Sequence, residues 1–263
     1  MKNRGLEILL TNDDSYTSKG IEFVANMLSE YGNVSVVAPK EPHSGMSAAL
    51  SLGKPLRFSK VSSKTMENGN SITIYKLSGT PADCVKMAMN YVFTDKAPDI
   101  LVSGINHGSN TSSSAMYSGT LGATAEGTLD GIPSIGLSID SHSSDPDFSV
   151  VKEFLPTIIE NFLKNPPQEG VYLNVNFPNI PLEDVKGITF AAEGNGKWIK
   201  EFDQRTDPYG NNYYWMTGTF ISMDNRTIAD HNLLKEGYIT IVPHKIDTTD
   251  YNELENLKKT WKF

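Results

Sequence analysis

The chain has 263 residues, 38% hydrophobic and 21% charged, with 31 acidic against 23 basic side chains and a formal net charge of −8 at pH 7. That balance suits a globular fold with a sizeable core, and the acidic surplus argues against polymeric nucleic acid and anionic membranes as main partners. Cys84 is the only cysteine, which excludes an internal disulfide and a cysteine zinc cluster. Its apolar setting (ADCVKMAMNYVF) points to a buried structural thiol rather than a nucleophile. With no signal-peptide pattern and no apolar run of membrane-spanning length, a cytoplasmic protein is expected.

Residues 6–11 (LEILLT) form an apolar run expected to be a strand buried on both faces. Residues 19–31 carry Ile21, Val24, Ala25 and Leu28 at helical spacing, and Gly32 is expected to end that helix. Strands are expected at 34–38, 72–77, 99–103, 133–139 and 171–177. Helices are expected at 81–93, with Pro81 in the first turn, at 120–130 and at 148–164. Repeated β-α-β units with short connections predict an α/β, Rossmann-like, mostly parallel sheet with helices on both faces. Beyond Pro178, isolated strands (188–192, 213–220, 238–242) with long polar connections predict a β-rich C-terminal extension that does not continue the parallel sheet. Residues 250–262 suggest a short helix with Leu254, Leu257 and Trp261 on one face and a Glu255–Lys259 pair on another. The whole is expected to be one domain, 1–263, with its α/β core at about 1–178 and the extension at about 179–263. The terminal apolar stripe must dock on its own domain or on a neighbouring subunit.

Ligands of open α/β sheets gather beyond the carboxyl ends of the strands, where Asn12, Asp13 and Asp14 lie. Adjacent carboxylates repel, so the pair either holds a hard cation such as Mg2+ or Mn2+ or shapes the turn and caps the next helix. Other loops converge on the same edge: Ser44-Gly45 after strand 34–38, SGTPADC at 78–84, and SGINHGSNTSSSAMYSGTLGATAEG after strand 99–103. In the last, Ser118-Gly119-Thr120 leads into a helix whose first-turn N–H groups suit a phosphate; the plain alternative is a flexible serine-rich loop with a serine cap. The glycine spacing matches neither a P-loop nor a dinucleotide fingerprint. The donors near the aspartates are oxygens, from Asp13, Asp14, the Ser44 hydroxyl and the Asn106 amide, which suits Mg2+, Mn2+ or Ca2+ rather than zinc or copper. His43 and His107 flank these positions and rank below the oxygens as ligands.

Taken in order, TNDD, the Ser44-Gly45 loop, SGTPADCV, VSGINHGSN with YSGTLGATAEG, and NVNFP resemble the SurE (survival protein E) family of metal-dependent nucleotidases, over about residues 6–178 and more loosely beyond. The resemblance implies a metal held by Asp13, Asp14, Ser44 and Asn106, with Mg2+ or Mn2+ as cofactor. It implies phosphate contacts from Asn12, Gly45, Asn110, Ser118, Gly119 and Thr120, and catalytic roles for Asp13, Asp14 and Asn110. The expected activity is hydrolysis of nucleoside 5'-monophosphates, with 3'-monophosphates a further candidate, by a homodimer or homotetramer that exchanges C-terminal extensions. The family usually has glycine where this chain has Ser15. Two rivals are an aspartyl-phosphate phosphatase, whose two aspartates are normally separated by one residue rather than adjacent, and a non-catalytic metal-dependent nucleotide-binding module.

Overall fold

The computed structural model describes residues 5–263. In chain order its elements are β1 (Leu6–Thr11), α1 (Lys19–Leu28), β2 (Gly32–Pro39), β3 (Phe58–Thr65), β4 (Ser71–Leu77), α2 (Pro81–Tyr91), β5 (Ile100–His107), α3 (Ser114–Tyr117), α4 (Gly119–Leu129), β6 (Ser134–Ile139), α5 (Ser149–Lys164) and β7 (Val171–Phe177). There follow β8 (Gly187–Phe190), β9 (Gly196–Ile199), β10 (Phe202–Thr206), β11 (Asn212–Met216), β12 (Thr219–Ser222), α6 (Asp230–Lys235), β13 (Tyr238–Lys245) and α7 (Tyr251–Thr260).

A nine-stranded sheet in the order β3-β4-β2-β1-β5-β6-β7-β13-β8 organises the molecule. Its six central strands, β4 to β7, run parallel. Side chains alternate across such a sheet, so β1 feeds two cores. Ile8 and Leu10 pack with Ile21, Val24 and Leu28 of α1 and Leu155 and Ile159 of α5. Leu9 packs on the opposite face with Cys84, Val85 and Ala88 of α2 and Ala123 of α4. Cys84 is a buried free thiol whose pKa burial raises further, so it is the inert core residue its sequence setting implies. No helix among the described residues is long and apolar enough to cross a membrane.

Several elements differ from the sequence expectation. α1 ends at Leu28 with Ser29 as its cap, and Gly32 instead begins β2. A Cβ at Gly32 would lie 2.0 Å from the Leu6 carbonyl oxygen, so this glycine permits close strand approach rather than helix termination. β5 runs on to His107, which makes Asn106 a strand residue. β3 has no apolar alternation to betray it; it is a polar edge strand, antiparallel to β4, with Lys60 and Lys64 exposed.

The C-terminal part is β-rich, but two of its strands extend the main sheet. β13 pairs antiparallel with β7 and β8 pairs parallel with β13, burying Ile239, Ile241 and Val242. The expected strand 213–220 breaks at Gly218 into β11 and β12, which form two small antiparallel sheets with β10 and β9. On α7 the ion pair is Glu255 with Lys258, at 2.7 Å, rather than with Lys259. Leu254 is 38% and Trp261 62% exposed, so the terminal stripe is left largely uncovered.

Candidate active site

Asn12-Asp13-Asp14 leaves β1 at the carboxyl edge of the sheet. Asn12 Nδ2 donates to Ser15 O and Ser18 Oγ, both at 2.9 Å, and Ser18 in turn caps α1. Asn12 therefore uses its donor inside the turn, and its remaining group is an acceptor, the buried and unpartnered Oδ1, unsuited to a phosphate oxygen.

Asp13, only 4% exposed, is fixed from two sides. Thr120 Oγ1 donates to its Oδ1 at 2.6 Å, and His43 N–H donates to its carbonyl at 2.7 Å. The second bond brings the exposed Ser44-Gly45 turn to the end of β1. Asp14 Oδ2 accepts the His107 N–H at 3.1 Å, which joins it to the end of β5. There Asn106 Nδ2 donates to Gly108 O at 2.6 Å, leaving Asn106 Oδ1 as the group that can face a cation.

Two glycines allow α4 to approach this cluster. A Cβ at Gly119 would meet Asp13 Cβ at 2.9 Å, and one at Gly122 would lie 2.1 Å from Ser47 O, so neither contact tolerates a side chain. Ser47 N–H and Oγ donate to Tyr117 O and Met116 O, both at 3.0 Å, seating the 43–49 loop against the start of α4. Ser118 caps α4 by accepting the Leu121 N–H at 3.1 Å, and the first-turn N–H groups of Gly119 and Thr120 have no acceptor within the helix. The Thr120 hydroxyl, by contrast, is committed to Asp13.

Burial pushes the Asp13 carboxyl up to about 6; the Thr120 hydrogen bond opposes the rise and the Asp14 charge adds to it. Burial likewise raises Asp14, against the stabilising His107 N–H. Asp14 is the only charged neighbour acting on Asp13 among the described residues. A buried carboxylate beside a half-buried one, with His107 as the one basic group among the described residues acting on Asp14 and with further oxygen donors from Asn106 and Ser44, fits a hard divalent cation. The next residue, Ser15, stands in the left-handed region at φ +92°, its Oγ at 3.1 Å from Thr17 Oγ1 and 3.2 Å from Lys40 O.

Asn110 is also buried, 6% exposed. Its N–H donates to Asn176 Oδ1 at 2.7 Å, its carbonyl accepts from Asn174 Nδ2 at 2.8 Å, and its own Nδ2 donates to Ser138 Oγ at 2.8 Å. Farther along the same loop, the fully buried Asp230 accepts the Ser112 N–H at 3.0 Å and the Gly194 N–H at 2.9 Å, tying the loop to the C-terminal region. The supporting roles of Ser138, Asn174, Asn176 and Asp230 escape sequence reasoning. Two asparagines alternating with an apolar residue in a buried strand (NVNF) are the one visible signal; Asp230 gives none.

Fold and site together define a doubly wound α/β protein whose oxygen-rich cradle lies where the ends of β1 and β5 meet the N-terminus of α4. The family model described as Survival protein SurE matches residues 8–200, and the chain belongs to the SurE family. It is similar to the 5'-nucleotidase SurE of Cytophaga hutchinsonii, 42% identical over 256 residues and 97% of each chain. Its identity to the 5'-nucleotidase SurE of Flavobacterium johnsoniae is 40% over 262 residues, covering 100% of this chain and 99% of the relative. The crystal structure of the SurE protein from Aquifex aeolicus matches with a TM-score of 0.78 at 32% identity, covering 96% of this chain and 98% of that one.

Proposed function

We propose that this chain is a metal-dependent phosphomonoesterase that hydrolyses nucleoside 5'-monophosphates, and 3'-monophosphates as further substrates, to nucleoside and phosphate. The observation that carries this reading is the buried Asp13, with no basic group among the described residues acting on it, next to the half-buried Asp14 and beside the open first turn of α4. The nucleotidase names of full-length relatives support it.

Asp13, Asp14, the Ser44 hydroxyl and Asn106 Oδ1 hold the cation, Mg2+ or Mn2+. When bound, it supplies Lewis acidity toward a phosphoryl oxygen and lowers the pKa of water. Thr120 keeps Asp13 in place for that task. Asn110, the Ser118 hydroxyl and the N–H groups of Gly45, Gly119 and Thr120 receive the phosphate oxygens, where the positive end of α4 favours negative charge. Donors held in advance around the phosphoryl group stabilise the charge that spreads over its oxygens in the transition state. Neither the aspartyl-phosphate route nor a non-catalytic binding module is favoured beside relatives named as nucleotidases, and Asp13 Oδ1 is already engaged by Thr120.

The enzyme is one domain and works in the cytoplasm as a homodimer or homotetramer, its uncovered α7 stripe meeting a neighbouring copy. The deciding experiment measures phosphate release from a panel of nucleoside monophosphates after exhaustive chelation, then after Mg2+ or Mn2+ is restored. Activity should vanish and return; full activity in metal-free buffer overturns the reading.

A further inference from the structure

Asn174 and Asn176 of β7 are both fully buried and, two residues apart on a strand, share one face of the sheet. Asparagine is poorly suited to a central strand, and a buried amide is costly unless it is hydrogen-bonded. Here both amides are bonded, in a closed ring. The Asn110 N–H donates to Asn176 Oδ1 at 2.7 Å, Asn176 Nδ2 donates to Asn174 Oδ1 at 3.0 Å, and Asn174 Nδ2 returns to Asn110 O at 2.8 Å.

The ring has a direction. A backbone N–H can only donate and a backbone carbonyl can only accept, so Asn110 dictates which end of each amide points where. Neither amide can turn over without breaking two of the three bonds. Ser138, paired in register with Asn176 across β6 and β7, holds the Asn110 side chain as well, through its Oγ at 2.8 Å from Nδ2. Both peptide groups of Asn110 and one side-chain hydrogen are thus immobilised, and the second Nδ2 hydrogen is not used in the clamp.

Apolar residues at 174 and 176 would fill the same space but would leave the Asn110 N–H and carbonyl without these partners, so the two amides are tied to the placement of this loop residue. The amides thereby hold a loop residue in a fixed position. We infer that Asn174 and Asn176 are positioning residues for the phosphoryl group, acting through Asn110. This inference rests on the nucleotidase reading and on Asn110 as a phosphate contact.

The test is a double-mutant cycle on the full-length enzyme with its divalent cation, using wild type, Asn176→Ala, Asn110→Ala and the double variant. Asn176→Ala should lower kcat/KM by about 10- to 100-fold, as expected when a reacting group is misplaced by a change outside the site. In the Asn110→Ala background the same change should cost less than about 3-fold, because the residue it acts through is gone. An equal loss in both backgrounds, or no loss in a folded Asn176→Ala protein, overturns the inference. Should Asn176→Ala fail to fold, Asn174→Ala opens the same ring at the Asn110 carbonyl and is read in the same cycle. If the wild-type enzyme releases no phosphate from any nucleotide, the nucleotidase reading fails on its own. The clamp is then judged by inorganic-phosphate affinity across the same four proteins, where coupling supports it and additivity overturns it.

Discussion

Asp13 and Asp224 are almost equally withdrawn from solvent, 4% and 8% exposed, yet the protein drives their acidities in opposite directions. Asp224, in the C-terminal region, is paired with Arg226, whose Nε donates to it at 2.9 Å, and it also accepts the Asn195 N–H at 2.8 Å. The Arg226 side-chain bonds, with the backbone N–H groups adding to them, hold its carboxyl well below the usual carboxylate range. Asp13, at the sheet edge, has a hydroxyl and a like charge for company, and burial pushes it up to about 6. A buried carboxylate with a cation built into the chain fastens the fold. One without carries a destabilising charge in the folded state, the kind of perturbed group that marks a candidate functional site.

The sharpest way to break this contrast is Asp13→Asn, which keeps the shape and removes the charge. Turnover with Mg2+ or Mn2+ should fall by about three orders of magnitude, the scale of several kcal/mol of lost charge stabilisation. In chelator the same change should stabilise the protein. Because the folded carboxyl titrates at about 6 against an ordinary value of 3.8, the native state holds its proton more tightly than the unfolded chain. Ionising Asp13 therefore costs stability as pH rises through that window, and the full penalty stands above it. Thermal melts at pH 7 should favour Asp13→Asn by on the order of 2 kcal/mol, with the advantage gone below about pH 4. Identical melting at pH 7 would show that the charge is compensated after all.

Asp224→Asn should behave with the opposite sign and a smaller effect. A depressed folded pKa stabilises the protein above the ordinary carboxylate value, and that stability is lost as pH falls through the folded value. The variant should be the less stable protein at neutral pH, and the gap should narrow as the pH drops below about 4. Urea midpoints at both pH values check this, and a gap independent of pH would remove Asp224 from its half of the comparison. Smallest in its effect on chemistry is removal of residues 250–263. It should shift the particle toward monomer in light scattering while kcat/KM changes less than about 2-fold, since surface changes away from a site act weakly on it. An unchanged oligomer rejects a role for α7 in assembly.

The parts legible in the sequence are those whose signal is local. β1 shows as an apolar run and α1 by its helical spacing, and Asp13, Asp14 and Asn106 mark a candidate cluster of oxygen donors by residue type alone. The parts that escape depend on partners far along the chain. Nothing in YITIVPHK says that Thr240 will stand opposite Asn176 and carry the sheet past β7. The sequence offers Thr120 as a first-turn residue whose N–H suits phosphate; that its hydroxyl is taken by Asp13 shows only in the 2.6 Å contact. Likewise NVNF displays two unusual strand asparagines without naming Asn110, more than sixty positions away, as what they hold.

Ser15 follows the aspartate pair at φ +92°, a conformation that glycine adopts freely and other residues enter at a steric cost. Its hydroxyl contacts with Thr17 and the Lys40 carbonyl help hold it there. The position is consequently a narrow gate in mutational drift. Glycine passes by needing no room for a Cβ, asparagine and aspartate by tolerating the left-handed turn, and serine by bonding locally, while valine, isoleucine and other β-branched residues are shut out. A side chain at position 15 is thus chosen by the backbone of the turn, and the carboxylates just before it take their direction from that choice.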